Sequence, residues 1–205
     1  MSTMEWDISD ASGGFDFSAA MSALCRDVAA RMDELAHIRM DRVVVTFAQT
    51  RSRASHGLQA KLTPMRFEQG ALTTRRHGQT WTVQRLFRDN REMLYILTFY
   101  LPRFMNHSFR EKMVTVLHEL FHISPLFDGD IRRFGGHFHV HTHSQKQYDQ
   151  RMEELVDEYL ATDPPPSVFA FLRSKFSTLQ RRYGSVVGLQ IPIPKLIPVT
   201  DQKSA

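Results

Sequence analysis

Two histidines and a glutamate stand at a spacing that can do chemistry: His118, Glu119 and His122, within His118-Glu119-Leu120-Phe121-His122. On a helix, side chains four residues apart share a face, so both imidazoles can reach one cation. Glu119 sits about 100° further round the helix. From there it can approach an open coordination position without filling it, and act as general base on a metal-bound water. The alternative is a pair of solvent-facing histidines on an amphipathic helix. Context favours the first reading, because six of the ten histidines (His118, His122, His137, His139, His141, His143) fall in one short window.

A catalytic zinc takes three protein ligands and a water, so one ligand remains to be found. Gly136-His137-Phe138-His139-Val140-His141-Thr142-His143 is the first source. If extended, it turns all four imidazoles one way and Phe138 and Val140 the other. His141 is favoured over His139 as the single third ligand, with His137 behind both. Asp128 lies six residues after His122, a known ligand spacing, but Pro125 stands where a tight turn beneath the metal needs glycine. Asp128 reads better as a turn former with Gly129 and Asp130. Glu153 or Glu154 would give a two-His-one-Glu site, or else belong to a solvated acidic face. Two imidazoles and a third nitrogen suit Zn2+.

The element that must carry the motif is well marked. Ser108 and Glu111 form a capping box, and Met113, Val116, Leu117, Leu120 and Phe121 form an apolar stripe behind it. Pro125 predicts an end near Ile123. Upstream, Phe17 to about His37 has helical periodicity. Strands are expected over Arg42–Gln49, over Leu58–Phe67 (with Pro64 confining it to an edge or a bulge), over Thr80–Phe87 and over Met93–Leu101. Downstream, the long loop Ser124–Ser144 leads to an acidic helix from Tyr148 to Ala161. Pro164-Pro165-Pro166 ends that helix, and Ser167 caps a basic helix running to about Tyr183. The expected organisation is a flexible arm over 1–16, a single domain over 17–183 and an extended tail over 184–205.

Composition sets the outer bounds. The chain has 205 residues, 42% hydrophobic and 23% charged, an ordinary globular balance for one domain. No apolar run is long enough to span a membrane, and the N-terminus has no basic leader. A single cysteine, Cys25, excludes an intramolecular disulfide and points to the cytoplasm. The net charge is +4, and 20 of the 26 cations are arginine. Base composition of the genome explains that bias first, nucleic-acid contact second.

The stretch HELFHISPLFDGDIRRFGGHFHVHTH, preceded by YILTFYLPRF and followed by an acidic helix, resembles the phage-type metallopeptidase domain family. That family is distantly similar to the SprT-like zinc peptidases. The resemblance covers roughly Arg42 to Ala161. It implies an α+β, minimal zincin-like fold with an N-terminal helix, a small mostly antiparallel or mixed sheet of about four strands, the active-site helix and C-terminal helices. SprT-like enzymes take a third histidine well downstream, commonly followed by glycine. Here Thr142 follows His141, a departure that leaves the choice among the histidines open.

The implied function is a zinc-dependent metallopeptidase. Glu119 would be the catalytic base, and a peptide or protein substrate would add to an edge strand such as Thr80–Phe87. Arg132, Arg133 or Tyr148 would be candidates for the oxyanion. The alternative is a catalytically silent, metal-stabilised binding module, a DNA- or phage-associated adaptor. It would use Arg51 to Arg53, Arg75-Arg76 and the helix bearing Arg173, Lys175, Arg181 and Arg182. An intact Glu119 favours the enzyme, since a structural site has no need of a base. A hydrolase acting on a non-peptide bond is a third reading.

Overall fold

The computed structural model describes residues 3–5, 13–50, 57–133 and 145–199, with the backbone alone at 3–5 and 145–149. Three strands make the sheet that carries the candidate site: β1 (Val43–Gln49), β2 (Ala60–Pro64) and β3 (Tyr95–Leu101). β3 is central. β1 runs parallel to it, with Val43 opposite Tyr95, and β2 runs antiparallel, with Leu62 opposite Leu97. The order follows from composition. The Tyr95–Leu101 segment is apolar at nearly every position, so it suits the middle, where both faces are covered. Pro64 cannot donate to a ladder, so β2 suits an edge.

Alternation divides the sheet's two faces. Val43, Val45, Phe47, Leu97 and Phe99 join the main core with the helices, while Val44 and Ile96 pack with Met65, Leu86 and Met93 on the opposite side. Helix α1 (Phe17–Arg31) is capped by the Asp16 carboxylate, which accepts the Ala19 N–H at 2.8 Å. It ends at Arg31 rather than near His37. Met32 turns to extended backbone to bury its side chain, and a 3-10 turn over Asp33–Leu35 follows. Helices α2 (Phe109–Phe121) and α3 (Gln145–Ala161) pack on one another, joined outside by Arg110 to Glu153 and Asp157. The architecture is α+β.

Two expectations are corrected. The main sheet has three strands, because Thr80–Phe87 breaks into Gln79–Val83 and Arg85–Arg88. The break is at Gln84, whose N–H still donates to the Lys195 carbonyl, one step beyond the Val83–Leu196 pair. Each half has a neighbour on both sides: Thr73–Arg76 and Leu196–Pro198 for the first, Thr3–Glu5 and Arg91–Met93 for the second. Neither half is an edge open to strand addition. Second, the basic helix after Ser167 is two short turns, Pro166–Phe169 and Ala170–Arg173, and a separate helix, Phe176–Tyr183. Between them Ser174 is extended, and its carbonyl accepts the buried Lys112 ammonium at 2.9 Å. The segment from 184 is extended and tied to the body. Val186–Val187 pairs with Phe15–Asp16, and the Leu189 carbonyl accepts the Phe47 N–H. Among the described residues, no helix is long and apolar enough to cross a membrane.

Candidate functional site

The site begins at the cap. The Glu111 N–H donates to Ser108 Oγ at 3.2 Å, and the Ser108 N–H donates to Glu111 Oε2 at 2.8 Å. With the first turn satisfied, Met113, Val116, Leu117 and Leu120 are fully buried and seat the helix on the sheet. That orientation leaves His118 and His122 half-buried on the flank. Their Nε2 atoms stand 2.9 Å apart, with the rings nearly perpendicular. At a zinc–nitrogen distance of about 2.05 Å, this separation subtends about 90°, and an opening of about 0.4 Å gives the tetrahedral angle. The pair fits two positions of a zinc shell.

Glu119, the neighbour of His118, is turned into the protein, 9% exposed. The strand β2 explains how it is held. The Tyr100 N–H donates to the Gln59 carbonyl, so odd-numbered residues of this edge pair with β3, and even-numbered ones face outward. The outward Leu62 N–H meets Glu119 Oε2 at 2.7 Å. Burial pushes the Glu119 carboxyl up to about 7, against a smaller downward pull from the Leu62 N–H and the charge of Lys61. A carboxylate raised that far is a far better proton acceptor at neutral pH than an ordinary one.

Beyond α2 the chain makes a closed excursion and returns. Ile123 bridges Ile131, and the Arg132 N–H donates to the His122 carbonyl at 2.7 Å. Arg132 Nε donates to the Phe121 carbonyl, and its guanidinium lies 4.1 Å from the Phe121 ring centroid, covering the helix C-terminus. Arg133 grips Asp130 with two hydrogen bonds of 3.0 Å. Both arginines proposed for an oxyanion are thus engaged in building the loop. Asp128 makes a turn, accepting the Asp130 N–H at 3.1 Å. Glu153 is bound to Arg110, eight residues and so about 12 Å along the helix before His118. Glu154 accepts from Gln150 and lies 3.5 Å from Arg151. Among the described residues, no group of three or more His, Cys, Asp or Glu is arranged to hold a metal. His137, His139, His141 and His143 lie outside the described residues, as do Arg51, Arg53 and the side chain of Tyr148.

Several contributors had no signal in the sequence. Leu62 acts through its backbone N–H, which every residue type except proline carries. Tyr95 and Asp130 act across long separations. His37 lies near Arg132, and its buried Nε2 has no hydrogen-bond partner among the described residues. Burial, then the Arg132 charge, lowers its pKa. A cleft of about 890 Å3 lines the opposite edge of the sheet, along Val43, Val45 and Phe47, and contains none of His118, Glu119 or His122. Compared with known proteins, the chain matches no protein-family model, no curated protein and no solved structure.

Proposed function

We propose that the protein is a zinc-dependent metallopeptidase of zincin-like fold. The observation that carries the reading is one juxtaposition: two imidazole nitrogens 2.9 Å apart, one residue from a buried glutamate hydrogen-bonded to the edge strand of the sheet. A pair of merely solvated histidines would need no such glutamate beside it.

His118 and His122 would hold Zn2+, with His141, then His139, then His137 as the third ligand. When bound, the cation supplies a Lewis acid for the scissile carbonyl and lowers the pKa of its water. Glu119 keeps Oε2 on the Leu62 N–H, which fixes the carboxylate plane and leaves Oε1 to take a proton and hand it on to the leaving amine. β2 is the edge of the sheet, so an extended peptide laid along it would lie beside Glu119, which already takes the Leu62 N–H. This edge takes the place of Thr80–Phe87 as the proposed substrate strand. The adaptor reading rests on Arg75, Arg76, Arg181 and Arg182, which sit on exposed or half-exposed segments. Arg173 is already stacked on Phe109 and Phe169.

The test is elemental analysis of the purified parent and of His118→Ala, His139→Ala and His141→Ala. The expected outcome is one zinc per parent chain, lost in His118→Ala and in one downstream variant, His141→Ala first. A parent that binds no zinc sinks the reading.

A further inference from the structure

His122 presents a mechanical problem. It is the C-cap of α2, one residue beyond the last helical position, and its N–H reaches the His118 carbonyl only at 3.3 Å. Helix ends fray at little free-energy cost. A metal ligand, by contrast, must be held to within about 0.5 Å. Something other than the helix must hold this residue.

The excursion that follows does so. Its two ends are fastened together at His122: the Arg132 N–H donates to the His122 carbonyl at 2.7 Å, and Ile123 bridges Ile131. The shape of the excursion depends on one side chain. The Asp130 carboxylate is 5% exposed and accepts four N–H groups. Oδ1 takes Ile131 N at 2.8 Å and Arg133 Nη2 at 3.0 Å; Oδ2 takes Gln69 N and Arg133 Nε, each at 3.0 Å. Four donors account for the lone-pair capacity of a carboxylate, so Asp130 has none left for a metal.

The backbone at the same place is equally occupied. The Tyr95 hydroxyl, fully buried on β3, donates to the Asp130 carbonyl and accepts the Gly129 N–H, both at 2.9 Å. Arg66 donates its N–H to the Gly129 carbonyl at 3.0 Å. Gly129 has φ +90°, and a Cβ there would meet Arg66 Cγ at 2.4 Å, so only glycine permits this approach. The segment that follows β2 therefore reaches Asp130 through Gln69, while β2 itself reaches Glu119 through Leu62. One stretch of chain braces both the base and the second histidine.

We infer that Asp130 is a positioning residue for metal binding: it holds the loop that fixes His122 in place, without touching the metal. The inference rests on the zinc reading of His118 and His122. It implies that Asp130→Asn, which loses the charge-assisted grip on Arg133, weakens zinc binding with both histidines intact. Outer partners of metal ligands typically contribute about 10- to 100-fold in affinity, and that is the expected loss.

The experiment is competition for Zn2+ against a chromophoric chelator, at a temperature where every variant is folded by circular dichroism. Ser108→Ala is the control. It weakens α2 at its far end and leaves His122 alone, so its zinc affinity should match the parent's. Should Asp130→Asn fail to fold, Arg133→Lys carries the same test, since it keeps the charge and loses the two-pronged geometry. A weakened affinity in the Asp130 or Arg133 variant, with the Ser108 control unchanged, supports the inference. An affinity within about two-fold of the parent overturns it and leaves the zinc reading standing. An equal loss in the Ser108 control overturns it too, because general stability then explains the effect. A parent that binds no zinc removes the zinc reading, and the inference with it.

Discussion

Glu119 and Glu92 are two largely buried glutamates in one small protein, and their surroundings do opposite things to them. Glu92 is enclosed by arginines. Oε1 takes Arg85 Nε at 2.7 Å, Oε2 takes Arg85 Nη2 at 2.8 Å and Arg66 Nη2 at 2.5 Å, and Arg42 Nε bonds its carbonyl. Burial alone would raise its pKa. The Arg85 hydrogen bonds, then the charges of Arg66, Arg85 and Arg42, hold it below the ordinary carboxylate value. Glu119 has one neutral backbone N–H and a more distant lysine, and burial prevails, up to about 7. The first arrangement locks a carboxylate in its charged form and makes it a cross-link between strands. The second leaves a carboxylate able to gain and lose a proton at neutral pH, which suits chemistry more than stability.

The largest effect expected from this contrast is on folding. Glu92→Gln leaves three arginines facing one another around a neutral amide, and should cost about 3 kcal/mol in urea denaturation at pH 7. The pH dependence has a definite sign. A lowered folded-state pKa means stability that is present above the ordinary carboxylate range and lost as pH falls through the folded value. The gap between parent and Glu92→Gln should therefore close below about pH 4. A gap that persists unchanged at pH 3 breaks the assignment.

A smaller effect is expected at the other carboxylate. Glu119→Gln removes a poorly compensated buried acid and keeps an acceptor for the Leu62 N–H. Its stability at pH 7, measured without metal, should lie within about 1 kcal/mol of the parent, on the stable side if it moves. A loss as large as that of Glu92→Gln would make Glu119 a structural residue and erase the difference between the two regions.

How much of this was legible in the sequence differs by locality. The capping box of Ser108 and Glu111, the stripe behind it and the order His118, Glu119, His122 are local patterns, and each stands where the spacing put it. Pro64 marked β2 as an edge for a backbone reason that holds in any context. What was not legible depends on partners far along the chain. The ladder that runs through Gln84 needs Lys195, and the extended Ser174 backbone accepts the ammonium of Lys112. The hold of β2 on Glu119 spans 57 residues and depends on a strand register. The arginine excess, ambiguous as composition, resolves in part: Arg42, Arg66, Arg85, Arg132 and Arg133 serve as internal fasteners.

In the proposed reaction Glu119 would move a proton at a site held by His118 and His122. The direct measurement is cleavage of an unstructured protein such as casein by the parent and by Glu119→Gln, both loaded with zinc and both assayed for metal content. The expected result is equal zinc in the two and a rate in the variant lower by about 10²- to 10⁴-fold, the usual contribution of a general base. A zinc-loaded Glu119→Gln that cleaves as fast as the parent would contradict it.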